Sequence, residues 1–140
     1  MFLAPSLPLL QLTPRPDLGI LVGRWGFQPE PTLLPTAYEQ LAEAALRDDC
    51  HFWLQDIRRR TSNDPNTTTW LLAEYFPSMA TRLKARLSVA YLVGPDLHRH
   101  IVNGPDFVPV ELYNDKPFTI GLFGDEGQAI RWLQEQQAAE

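Results

Sequence analysis

His51–Pro65, HFWLQDIRRRTSNDP, decides the reading of the fold. Phe52, Trp53 and Leu54 form a short apolar run, the mark of a buried strand. The chain turns polar at Asp56, passes three arginines, Arg58, Arg59 and Arg60, and enters a turn-forming cluster from Thr61 to Pro65. Helical spacing resumes at about Thr67. Strand, polar loop, helix is the unit of open α/β sheets, which bind ligands at the carboxyl ends of their strands. The loop is therefore a candidate place for a site, although it names no chemistry.

Upstream lies the clearest helix. Tyr38, Leu41, Ala42, Ala45 and Leu46 form one apolar stripe at helical spacing. Thr36 with Glu39 reads as a capping box, Glu30–Pro35 adds a turn in front, and Asp48 and Asp49 close the helix. Before it, Leu18–Phe27 reads as a strand in which Gly23 and Gly26 signal a bulge or a close backbone approach. Leu7–Thr13 reads as a first strand that Pro8 confines to a sheet edge. The turn predicted at Pro14–Asp17 makes these two an antiparallel pair.

Downstream, Thr67, Thr68 or Thr69 caps a second helix carrying Trp70, Leu71, Leu72, Tyr75, Phe76 and Met79. Pro77 predicts a break or kink after Phe76 and a shorter restart. Leu87–Val93 is a continuous apolar run, as in strands covered on both faces. Pro95–His100 reads as a short helical turn and Asn103–Pro109 as loop. Phe118–Phe123 is the last strand. Asp125 with Gln128 caps a final helix that turns Ala129, Ile130, Leu133 and Trp132 to the sheet, while the polar tail Gln134–Glu140 is expected to fray. The order predicts one α/β domain over residues 1–140, with a mixed, mostly parallel sheet of about five strands and helices packed on it.

Composition narrows the function. The chain has 140 residues, 44% of them hydrophobic and 21% charged, enough for a sizeable core. A formal charge of −5 argues against non-specific nucleic-acid binding, which needs a basic footprint. The single cysteine, Cys50, allows no intrachain disulfide and fits a reducing compartment. The apolar start lacks a basic n-region and is interrupted by Pro5 and Pro8, so it does not read as a signal peptide. No other apolar run approaches the roughly 20 residues that cross a bilayer. A soluble, cytoplasmic protein without membrane insertion is expected.

Several motifs, taken in order, are similar to those of the SpoIIAA-like (STAS-like) superfamily, especially of its bacterial members. They are Arg24-Trp25-Gly26 closing the strand pair, Ala45-Leu46 ending the helix, and Trp53-Leu54-Gln55-Asp56-Ile57-Arg58 leaving the third strand. Trp70-Leu71 with Phe76-Pro77 follows, then Phe123-Gly124-Asp125-Glu126 and Ala129-Ile130-Arg131-Trp132-Leu133. The resemblance spans nearly the whole chain. It implies a regulatory or ligand-sensing module, since the best-known STAS domains antagonise anti-sigma factors. Those carry a phosphorylatable serine in an Asp-Ser-Ser-Gly-like turn after the third strand. Asp56–Pro65 has no such turn; Thr61 and Ser62 stand in a different context, which argues against a kinase-controlled switch. Comparison of relatives with CRAL-TRIO lipid-binding domains keeps an apolar ligand open.

The candidate ligand or partner surface is Asp56, Arg58, Arg59, Arg60, Ser62, Trp70 and Phe76. Asp56 and Arg58 either hold a polar ligand or form a local ion pair, the simpler reading. Arg58, Arg59, Arg60, Arg82, Lys84 and Arg86 line an anion site if their loops converge, and otherwise form a solvated surface. Trp25, Trp53, Trp70 and Tyr75 frame a pocket or fill the core. His98 and His100, two apart, would share a strand face but not a helix face, and no metal site is expected. GxSxG, Walker A and GxGxxG motifs are missing, Cys50 reads as an inert small hydrophobe, and no catalytic residue or cofactor is assigned. The leading expectation is a non-enzymatic interaction module that binds a protein partner or itself through Asp56–Asn66 and the next helix. An exposed apolar patch of Trp70, Phe76 and Met79 would mark that surface. The alternative is a carrier of a small apolar or anionic ligand, with a cavity between sheet and helices beside Trp70 and Tyr75.

Overall fold

The computed structural model describes residues 8–105 and 107–140. Its sheet has five strands in sequential order: β1 (Leu10–Arg15), β2 (Ile20–Trp25), β3 (Phe52–Asp56), β4 (Leu87–Leu92) and β5 (Phe118–Phe123). β1 and β2 are antiparallel, and β2 to β5 run parallel. The expected α/β class and mixed, mostly parallel sheet are both present.

Each parallel step requires a crossover. α1 (Leu34–Arg47) joins β2 to β3, and α2 (Pro65–Trp70) and α3 (Phe76–Leu83), linked by a π-helical turn at Leu71–Tyr75, join β3 to β4. α4 (Pro95–Val102) and a 3-10 turn at Val110–Tyr113 join β4 to β5, and α5 (Glu126–Ala138) ends the fold. Successive crossovers of one hand between neighbouring strands fall on one face. The main core accordingly sets Leu21, Trp53, Val89 and Phe118 against Tyr38, Leu41, Phe76, Met79 and Leu97 from the crossover segments. On the opposite face Ile20, Val22, Phe52, Leu54, Ala90 and Leu92 meet Ala129 and Leu133 of α5. β3 and β4 are buried at every position, which is why their sequences are mostly apolar, with Gln55, Asp56 and Ser88 as the buried polar members.

Local boundaries depart from the sequence reading for identifiable reasons. The strand expected to start at Leu7 begins at Leu10, and residues 1–7, with the start that bears on a signal peptide, lie outside the described residues. Pro14 sits inside β1, opposite Leu21, and the turn moves to residues 16–19, where Gly19 takes φ +67°. Proline is tolerated there because β1 is an edge strand. Thr36 does not cap α1. A 3-10 turn at Pro31–Leu33 feeds the helix, no side chain caps it, and Pro35 occupies the first turn, where no N–H is needed. Asp64, not a threonine, caps α2: its carboxylate accepts from the Thr67 N–H at 3.0 Å and the Thr67 hydroxyl at 2.7 Å, with Pro65 next.

Pro77 does not end the helical run, but the regular α pattern gives way to a π-helical turn before it and α3 restarts at Phe76. The Phe76 N–H reaches back five residues to the Leu71 carbonyl, and helix continues through Pro77 in the first turn of α3. A proline ring clashes with a carbonyl four residues back; widening the preceding turn removes the clash and keeps the chain helical. Nor does the tail fray at Gln134. α5 runs to Ala138, Gln137 donates to the Leu18 carbonyl at 2.9 Å, and His51 meets Glu140 at 2.7 Å. Asp125 caps α5 as expected, accepting from the Gln128 N–H at 2.9 Å.

At Gly23 the expected close approach holds and no bulge forms. The glycine pairs with Gln55 in register, and a Cβ there would lie 2.8 Å from the Gln55 amide. Gln55 is fully buried and accepts from the Trp25 indole N–H at 3.0 Å, so its amide cannot yield without leaving that donor unpaired. Gly23→Ala is expected to cost about 1–3 kcal/mol of stability in urea unfolding, the cost of orphaning one buried polar group.

Candidate functional site

The three consecutive arginines diverge. β3 ends at Asp56 with its carboxylate on the α5 face, since side chains alternate along a strand. Arg58 folds back onto it, donating from Nε and Nη2 at 3.0 and 2.9 Å and from its backbone N–H at 3.1 Å. Arg24, the register partner of Asp56 on β2, adds a bond of 2.9 Å and also reaches Glu126 of α5 at 2.8 Å. Burial by itself raises the Asp56 carboxyl, but the hydrogen bonds from Arg58, then Arg24, outweigh it and hold the group below its ordinary value. Asp56 and Arg58 thus form the local ion pair that was the simpler reading, extended by Arg24 and Glu126. Sequence reasoning missed Arg24, although its place at the end of the neighbouring strand was the available signal.

Arg59 is exposed, and so is Ser62. The Thr61 and Ser62 N–H groups both donate to the Gln28 side-chain oxygen, at 2.7 and 3.1 Å, which ties the loop to the segment after β2. Arg60 goes the other way. A turn in which its N–H meets the Ile57 carbonyl at 3.0 Å sends the side chain under the crossover helices. Arg60 is only 6% exposed. Its guanidinium lies 5.4 Å from the centre of the Trp25 ring, and its Nε is buried without a hydrogen-bond partner.

Arg60 lines a cavity of about 540 Å³ between the crossover face of the sheet, α4 and the chain leading to β5. Its walls are mainly apolar, including Ile57, Leu71, Phe76, Ile101, Val108 and Leu122. The lining continues round the free edge of β5 to Phe123 and Trp132. The π-helical turn contributes Leu71 and Leu72, so the widened turn before Pro77 shapes the wall. Tyr38 and Tyr91 bring their hydroxyls together at 3.0 Å in the same lining. Burial pushes both hydroxyls above the ordinary phenol range, with the Arg60 charge pulling the other way, so both stay protonated.

The remaining candidates fall elsewhere. Trp25 and Trp53 are fully buried core, and Trp70 is half-buried, packed edge-on to Tyr38 with ring centres 6.0 Å apart. Phe76 is buried and lines the cavity, and Met79 is completely buried, so the two form no surface patch with Trp70. Arg82, Lys84 and Arg86 cluster before β4, at the end of the sheet opposite Arg58–Arg60, and Arg86 donates to the Tyr113 carbonyl at 2.7 Å. The six basic residues therefore do not converge. His98 and His100 lie on α4, where two-residue spacing separates them: His98 lines the cavity and His100 is exposed. Among the described residues no three His, Cys, Asp or Glu side chains are grouped to hold a metal, and no helix is long and apolar enough to cross a membrane. Burial raises the Cys50 thiol.

No protein-family model, curated protein or solved structure matches the chain significantly.

The Asp56 pair yields a signed prediction. Asp56→Asn removes a carboxylate whose side chain is 12% exposed from two arginines that are roughly half exposed, at an expected cost of about 1–2 kcal/mol. Because the folded carboxyl sits below its ordinary 3.8, its contribution is complete above that value and disappears as pH falls through the lowered one. The stability gap between wild type and Asp56→Asn, measured by urea unfolding, is expected to be constant near neutrality and to close below about pH 4.

Proposed function

We propose that this chain is a non-catalytic binding module of the cytoplasm that carries or senses a small, largely apolar molecule. The cavity lined by Arg60 supports this reading, because its volume lies within the range of small-molecule sites and its wall is mainly apolar with some polar groups. A bound molecule would cover this apolar cleft.

The STAS-like resemblance is compatible with this role, since sensing or carrying belongs to what that resemblance implies. Association with a protein partner, or self-association, has less behind it. The apolar patch that would have marked the surface depended on Phe76 and Met79, and both are buried. Asp56 and Arg58, offered by the sequence as holders of a polar ligand, pair with each other instead.

Native mass spectrometry of protein purified from its own host tests the proposal. The expected result is an added small mass that is lost on denaturation. Ile101→Trp, which puts an indole into the cavity from the half-buried face of α4, is expected to abolish that mass without lowering the melting temperature. A bare wild-type protein that also captures nothing from a panel of apolar compounds would count against a carrier.

A further inference from the structure

We propose that the molecule in the cavity is an amphipathic carboxylate, with its head paired to Arg60 and its apolar body along the sheet. This rests on the ligand-binding reading above and specifies its chemistry.

The charge of Arg60 carries the inference. An arginine cannot shed its proton to escape burial, and a buried charge is unfavourable unless it is paired. Among the described residues Arg60 makes no ion pair, and its Nε has no acceptor. The Trp25 face, 5.4 Å away, offsets part of the desolvation but accepts no hydrogen bond. The protein also holds the obvious local counter-charge elsewhere: Asp56 is engaged by Arg58 and Arg24 on the α5 face of the sheet. No described residue lining the cavity is an aspartate or glutamate, in a chain with 17 acidic and 12 basic residues.

The two tyrosines add to the surplus of donors. Their hydroxyls carry two protons and share one hydrogen bond, so one proton is left without an acceptor among the described residues. An arginine fork beside a spare hydroxyl donor suits the two oxygens of a carboxylate. Asn63, Thr67, Thr68, His98 and Tyr113 also reach the wall, but most of the remaining lining is apolar, which calls for an apolar body rather than a small inorganic anion.

Isothermal titration of the full chain with decanoate, decanol, decylamine and inorganic phosphate tests this directly. Wild type is expected to bind decanoate at least about tenfold more tightly than decanol, with decylamine and phosphate weaker than either. Arg60→Met is expected to lose the preference for decanoate while still binding decanol. Without ligand its melting temperature should be no lower than wild type, because an unpaired buried charge has gone. An arginine present only for packing would show the opposite, a lower melting temperature with the ligand preference unchanged. Arg60→Lys is expected to keep part of the preference. The wild-type series decides the matter even if a variant folds poorly. Equal binding of decanoate and decanol would overturn the carboxylate and leave the apolar cavity standing. Phosphate as tight as decanoate would overturn the amphipathic ligand, and no binding by any decyl compound would overturn both readings.

Discussion

Each parallel connection in this protein crosses the same face of a sheet whose strands follow one another in sequence order. Crossovers of one hand between adjacent strands leave no other arrangement. One face then carries α1, α2, α3 and α4, and among the described residues the other has only α5 to keep β3 and β4 from water. The sequential order also removes the strand-order reversal at which open α/β sheets usually form their ligand crevice. The space lies instead where the crossover layer runs out, beside β5, under α4 and the irregular chain that follows it.

That geometry explains why one loop has two electrostatic characters. β3 delivers Asp56 to the α5 face, where Arg58, Arg24 and Glu126 form a partly exposed and mutually satisfied network. Four residues later the turn delivers Arg60 to the crossover face, among aromatic rings and, among the described residues, without a counter-charge. The two sites are separated by the thickness of the sheet, so the carboxylate on one side is not available to the guanidinium on the other. A buried cation without a counter-charge lowers stability, and a ligand that supplied one would recover part of that cost.

The floor beneath Arg60 is rigid for reasons that can be named. Tyr38 stands between the Trp25 and Tyr75 rings, with ring centres 5.2 and 5.0 Å away, and the Tyr75 hydroxyl donates to the Tyr38 carbonyl at 2.6 Å. Trp25 is in turn fixed by Gln55, whose amide occupies the space left by the missing side chain of Gly23. A guanidinium resting on this stack has little freedom to swing out to water, which favours a preorganised site over an adaptable one.

The fold was legible because its determinants are local. Continuous apolar runs at Phe52–Leu54 and Leu87–Val93, the helical stripe of Tyr38, Leu41 and Ala45, and the Asp125 cap each follow from periodicity or capping within a few residues. Boundaries were less legible where two local rules compete, as at Thr36 against Pro35, or Pro77 against a helix that packing keeps continuous. The loop after β3 was legible as a place, but the roles of its arginines were not. Arg58, Arg59 and Arg60 are identical in one dimension; strand alternation and a single turn separate them into ion-paired, exposed and buried. Sequence alone determined that there would be a buried parallel sheet with a basic loop at its carboxyl edge. Only tertiary structure decided which arginine is buried away from the carboxylate, because that depends on which side of the sheet each charge faces.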